Sequence, residues 1–387
     1  MSDNVSKINI KPKKSIWKPI LLFLLLAAVV CGAAALYVFR DRLNLDAARR
    51  YLRRLDTHEV GGDNAFSFDA DNLNSYADFD GGLAVAGVTG ITTYEKDGSA
   101  DALVQVQMTT PQACAGSKLA LAYDAGGYAL RAVSDKGKTV LELDTERPIL
   151  DADISADDWF CCSAAEPGYK SVLQVYAPDG SLHYRWLSAS QYLPVCAVSP
   201  GGKYLAAVGL GQSEGSFTSD VLIFNVGSSE EAERTISVGS ELIYDLCFLS
   251  DDVICAVGEH TARFFPVSGA MSSFDYANWY LEDFQMGGSG FLTLVLNKHK
   301  AGSRCTVMTV GQDGKMIGEL ENDEQVLSCS AAGNYVAVLT ANELTIYDKT
   351  MSVYAKTGNS HACTDVLMRE DGTVVMLGGG QGNVFVP

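Results

Sequence analysis

Histidine, zinc-type cysteine pairs and, past the first 55 residues, positive charge are all scarce in this 387-residue chain, and each shortage removes a class of function. Histidine occurs only at His58, His183, His260, His299 and His361, without the spacing that brings ligands together on one metal. Ten cysteines are present, yet none forms a Cys-x-x-Cys pair, which argues against a zinc site. Of 29 basic and 47 acidic side chains, 11 and 3 lie in residues 1–55, which leaves 18 against 44 beyond and a net charge of −26 there. A surface so acidic has no means of neutralising phosphates, and nucleic acid is excluded as a partner. It suits an exported soluble domain that repels acidic polymers.

What the chain has in abundance is a repeat. Its clearest copy, Gln191 to Val226, contains an apolar run (Tyr192 to Val198), a turn (Ser199-Pro200-Gly201-Gly202), a second run (Tyr204 to Val208), a polar loop and a third run (Val221 to Val226). Runs of this length, rich in β-branched and aromatic residues and bounded by Gly, Pro, Ser or Asp, are strands. The first-turn-second element recurs at 76–87, 113–124, 152–164, 245–258, 283–296, 328–340 and 365–379. A period of roughly 40 residues is that of four-stranded propeller blades. Hairpin tips at Asp97-Gly98, Asp179-Gly180 and Asp313-Gly314 fall at the same corner of different repeats, where a primed turn needs positive φ. The pattern predicts an all-β propeller of eight four-stranded blades, with seven as the alternative. The last repeat, His361 to Pro387, holds only three strands, and an open edge invites aggregation. Asn64 to Asp69 is therefore expected to supply the missing strand and close the ring.

Pro19 to Phe39 carries no charge, and about 21 residues at 1.5 Å each span a bilayer core of roughly 30 Å. The reading is a signal anchor with a lysine-rich cytoplasmic tail at 1–18, a basic helical stalk at 40–60 and the propeller at 61–387 outside the cell. Basic residues on both flanks blunt the positive-inside rule, and retention of the lysine tail sets the orientation. Leu43, Leu45, Ala48, Leu52 and Leu55 share one side of a helix; a lipid-facing helix and a solvated stalk explain that equally well. Cys114, Cys196, Cys247, Cys329 and Cys363 are placed in first strands and Cys161, Cys162 and Cys255 in second strands, where Cys packs as a small apolar residue. Unpaired thiols fit an anaerobic exterior or a cytoplasmic face, and they weigh against the outward orientation.

Candidate sites are few. Gly211-Gln-Ser-Glu-Gly215 matches a nucleophile elbow but sits between two strands with no helix following, so it reads as chance. Asp69-Ala-Asp71 and Asp151-Ala-Asp153 lack the further oxygens of a calcium loop and read as turn or strand-edge carboxylates. Asp78, Asp151, Asp245, Asp283 and Asp365 are all expected in innermost strands. Convergence at the axis would make an acidic ring for a cation or a basic peptide; the competing reading has each carboxylate accepting backbone hydrogen bonds between blades. Tyr192, Trp279 and Tyr280 open inner strands and either line a binding face or pack.

The run RWLSASQYLPVCAVSPGGKYLAAVG at 185–209 resembles WD40-like bacterial propellers, although Gly201 replaces their turn Asp and no blade ends in Trp-Asp. With the amino-terminal anchor, the chain resembles a domain-of-unknown-function family of membrane-anchored propellers from anaerobic Gram-positive bacteria. The resemblance implies fold and location, and brings no site residues with it. The hairpins are also similar to those of quinone-binding propellers, but Trp occurs only at 17, 159, 186 and 279, so the repeated docking Trp is missing and no cofactor is expected. The function expected is a membrane-tethered, non-enzymatic module binding an envelope protein, peptide or glycan. The alternative is a glycan hydrolase or lyase with carboxylates at the channel mouth.

Overall fold

A computed structural model of the chain describes residues 66–387 apart from 214, 229, 301–303 and 360–361. The expected tail, anchor and basic stalk, together with His58 and His361, lie outside the described residues. Val60–Pro387 make one compact unit, and no helix occurs among its described residues.

The described chain forms eight antiparallel four-stranded sheets, each built from strands in sequence order except the last. Seven blades have inner strands Ser75–Ala77, Pro111–Ala115, Ile149–Ile154, Tyr192–Val198, Ile243–Ser250, Tyr280–Gln285 and Val326–Ala332, numbered here 1 to 7. Blade 8 combines Asp365–Met368, Val374–Gly378 and Gln381–Phe385 with Phe66–Ser67 as its outer strand, pairing Phe66 with Gly382 and Ser67 with Gln381. The expected closure by the 64–69 stretch is what the structure has, and the count is eight.

Burial follows from the stacking of sheets. Second strands such as Leu119–Asp124 and Phe291–Asn297 are buried throughout because both of their faces meet a neighbouring blade. Outer strands such as Ala100–Gln105 and Met316–Asn322 alternate towards solvent. The apolar core therefore lies between blades: Leu121 and Leu130 of blade 2 pack with Phe160 and Tyr176 of blade 3, and Val208 and Ile223 of blade 4 with Ile254 and Phe265 of blade 5. Nine cysteines are free thiols in or beside this core. Cys363 precedes its inner strand by two residues instead of lying in it, and Cys305 occupies a third strand.

The ring has two unlike faces. On the lower face run the tight turns from first to second and from third to fourth strand. At the Asp-Gly corners only the glycine has positive φ, 85° at Gly98, 81° at Gly180 and 73° at Gly314. The preceding Asp instead accepts the N–H two residues on, at 2.9 Å from Ser99 and Ser181 and 3.1 Å from Lys315. A single αL glycine beside a register shift is a turn ending in a glycine bulge, which replaces the primed two-residue turn expected. The upper face carries the second-to-third connections and the crossovers into each next inner strand. In blade 4 the expected polar loop is instead a continuous hairpin, with Tyr204–Ser213 and Ser216–Asn225 paired to Ser213–Ser216 and Gly215 at φ 80°. Main-chain pairing continues beyond the apolar stretch because it needs no apolar side chains.

Candidate functional site at the upper mouth of the channel

Each inner strand pairs on one side only, so its other edge leaves N–H groups at the axis that need acceptors. The chain solves this with side chains from the preceding blade. Ser75 Oγ accepts Ala113 N–H at 3.0 Å, Asp151 Oδ2 accepts Cys196 N–H at 2.8 Å, and Asp153 Oδ2 accepts Val198 N–H at 3.3 Å. Ser328 Oγ accepts Val366 N–H at 3.3 Å and Ser330 Oγ accepts Met368 N–H at 3.0 Å, while Asp283 takes the N–H of Cys329. For Asp151 and Asp283 the inter-blade reading of the carboxylate is thus the observed one.

Asp151, Asp283 and Ser328 stand at matching places in their inner strands, and Asp153 and Ser330 lie two residues further along. A register shift immediately precedes Asp151, Asp245, Asp283 and Ser328 in their strands, and a bulge of this kind re-aims the following side chain. Asp365 opens the inner strand of blade 8 at the corresponding place. Asp78 departs from the expectation. It lies one residue past Ser75–Ala77, and its Oδ1 receives Arg369 Nε at 2.8 Å while Arg369 Nη2 donates to the Gly82 carbonyl at 2.6 Å. Asp78 is therefore a tie between blades 8 and 1 and no part of the acidic ring.

The remaining carboxylates divide into two groups. Asp151, Asp153 and Asp245 lie deep in the channel wall beside Cys114, Cys161, Cys196 and Cys247. Burial first, and then the neighbouring Asp151 charge, push Asp153 up to about 8 and Asp245 up to about 7. Burial also raises Asp151, against the Cys196 N–H and the Tyr123 hydroxyl, which donates at 2.9 Å. Sequence alone places Asp153 merely at a strand edge; its alternation with Asp151 is the available signal for a channel position. Among the described residues, no group of three His, Cys, Asp or Glu side chains is placed to hold a metal ion.

Asp283 and Asp365 instead line an open cavity of about 920 Å³ at the upper mouth, contributed by blades 1, 2, 6, 7 and 8 and the 70–74 stretch. Asp71, Gln112, Gln285 and Leu327 share the wall. Burial raises Asp283, with the Phe284 N–H at 2.7 Å opposing and the Asp365 charge adding to the rise. Asp365 Oδ1 accepts the Ser328 hydroxyl at 2.5 Å and Val366 N–H at 2.8 Å.

The aromatic candidates reach the same face. Tyr192 is 52% exposed and Tyr280 50%, joined at inner-strand starts by Tyr244 at 44% and Leu327 at 42%. Lys170 Nζ lies 4.9 Å from the Tyr192 ring, and Lys298 Nζ 5.2 Å from that of Trp279, which is packed on the core of blades 5 and 6. Trp279 is thus a packing residue, whereas Tyr192 and Tyr280 are surface. Ser213 of the elbow-like motif ends a strand in a two-residue hairpin, opposite Ser216, with no helix to follow. His183 stands edge-on to Trp159 at 5.1 Å, and His260 is a surface residue near Glu259.

Residues 56–377 match a family of unknown function, DUF5711. The chain belongs to that family. The match runs from ahead of the closing strand into the second strand of blade 8, and the family carries no assigned activity. Among solved structures the fold is similar to the C-terminal WD40 domain of Sif2, at TM-score 0.59 and 12% identity over 84% of this chain and 98% of that one. It is also similar to BamB from Moraxella catarrhalis, at TM-score 0.52 and 12% identity over 83% and 98%. No curated protein sequence matches the chain. At such identities the likeness is one of fold alone.

Proposed function

We propose that this DUF5711 chain is a non-enzymatic, membrane-tethered scaffold that holds an envelope protein on its upper face outside the cell. The observation that carries the reading is the run of exposed apolar side chains, Tyr192, Tyr244, Tyr280 and Leu327, at the inner-strand starts of four consecutive blades. Exposed rings gathered on one face of a rigid ring are features of a binding surface. The exposed apolar side chains on the lower side of these blades, Met271, Met316 and Val353, stand at third-to-fourth corners, on the outer rim instead of around the channel. The uncharged stretch 19–39 and the lysine-rich tail before it support a tether with the propeller outside.

The test is photo-crosslinking in intact cells from positions 244 and 280, against positions 97 and 313 on the lower face. A discrete adduct from the upper positions alone is the expected result; adducts from the lower positions alone would overturn the choice of face. An impermeant amine reagent that labels the propeller only after lysis would overturn the location.

A second reading rests on Asp283 and Asp365 lining one cavity, with Asp283 raised by burial, as a general acid is in glycan hydrolysis. Release of reducing ends from cell-wall glycan by the full chain, abolished by Asp283→Asn, would establish it. Its absence leaves the scaffold.

A further inference from the structure

From the chemistry of the upper mouth we infer the kind of segment the face receives: a basic stretch of polypeptide, with an Arg or Lys side chain entering the cavity between Asp283 and Asp365. This rests on the upper face being the binding face and adds the chemistry of the occupant. The cavity wall carries three carboxylates, Asp71, Asp283 and Asp365, and among the described residues no Lys, Arg or His lines it. No cation of the wall offsets the repulsion that these carboxylates present to an anionic ligand, within a propeller whose acidic excess is general. Among the described residues, the hydrogen bonds to Asp365 fall on Oδ1, which leaves Oδ2 as an acceptor for a charged donor.

Two further features separate a peptide from a simple ion. Among the described residues no three acidic, thiol or imidazole groups are clustered to hold a metal, and about 920 Å³ suits an inserted side chain with part of its backbone far better than a bare cation. Tyr76 and Leu327 stand in the same wall as the carboxylates. They offer apolar surface to the aliphatic stem of Arg or Lys while the charged end meets oxygen. Tyr280 and Tyr244, outside the mouth at neighbouring inner-strand starts, extend that surface for flanking residues.

The experiment uses the full chain in detergent micelles and a fluorescein-labelled Gly-Ser peptide carrying four arginines, with the same peptide bearing citrulline as the uncharged control. Fluorescence anisotropy is expected to show binding of the arginine peptide at least tenfold tighter than the citrulline one. The paired change Asp283→Asn with Asp365→Asn is expected to weaken it at least tenfold. Gln285→Lys, which puts a cation in the mouth and leaves both carboxylates in place, is expected to do the same should the first variant fold poorly. Neutralising Asp97 and Asp313 on the lower face is expected to change binding less than twofold. Equal binding of the citrulline peptide, equal weakening by the lower-face pair, or no binding at all would overturn the inference. A partner crosslinked from positions 244 and 280 in cells, with binding indifferent to Asp283 and Asp365, would remove this inference alone and leave the scaffold standing.

Discussion

Asp153→Asn isolates the electrostatics of the channel wall. Asp153 sits on the inner strand of blade 3 next to Asp151, and burial and that neighbour push its carboxyl from an ordinary value of 3.8 up to about 8. A folded value above the unfolded one means that the unfolded chain releases this proton first. The group's contribution is fully present below pH about 4 and is lost progressively as pH rises to about 8. At 1.36 kcal/mol per pH unit, a gap of about four units sets a ceiling of about 6 kcal/mol. Asp153 is half-buried, and its partial exposure to solvent raises the effective dielectric around it, which brings the expected effect to about 2 kcal/mol. The amide of Asn keeps an acceptor for the Val198 N–H, so Asp153→Asn should lie within about 1 kcal/mol of the parent at pH 5. At pH 9 it should be more stable than the parent by about 2 kcal/mol. Urea unfolding at pH 5, 7 and 9, followed by tryptophan fluorescence, measures the difference between the two proteins and cancels groups they share. An Asp153→Asn protein less stable by the same amount at pH 5 and pH 9 would refute the reasoning, because it would mean that the ionised carboxylate is a net stabiliser.

Other outcomes follow from closure and turns. Phe66→Ala removes a buried ring packed edge-on to Tyr94 at 6.1 Å and should cost about 3 kcal/mol in chemical unfolding. Arg369→Met leaves Asp78 and the Gly82 carbonyl without their shared donor and should cost about 3 kcal/mol, with part recovered by adding Asp78→Asn in a double-mutant cycle. Gly314→Ala should lower stability by about 1 kcal/mol or more, since φ is 73° and a Cβ would stand 2.8 Å from the Ser273 carbonyl. The propeller cysteines, seven buried and two half-buried, with burial raising Cys114 and Cys329 and the Cys161 sulfur and then burial raising Cys196, should resist Ellman's reagent in the native chain and react in urea; fast native reaction would contradict their placement.

The blades are legible because strands and corners are specified locally. Asp97-Gly98, Asp179-Gly180 and Asp313-Gly314 recur in phase, and although the turn type differs from the one expected, they mark the third-to-fourth corner. Closure is legible from a shortage, three strands in the last repeat and a lone strand-like run before the first. The channel is less so. Asp78 and Asp151 look alike in sequence, yet one residue of displacement beyond an inner strand gives Asp78 to Arg369, 291 positions away. Asp153 looks like a strand-edge carboxylate because nothing local reveals that Asp245, two blades on, contributes its charge. The mouth draws its wall from both ends of the propeller, and no window along the sequence contains it.

The strand that seals the ring is two residues long and belongs to the beginning of the propeller, whereas the three it joins are synthesised after the other seven blades. A ribosome-bound chain therefore has to wait for Phe385 before its circle is shut, with blade 1 already made and one flank unprotected. Tension arriving through the residues ahead of Phe66 meets that two-residue seam before any other sheet.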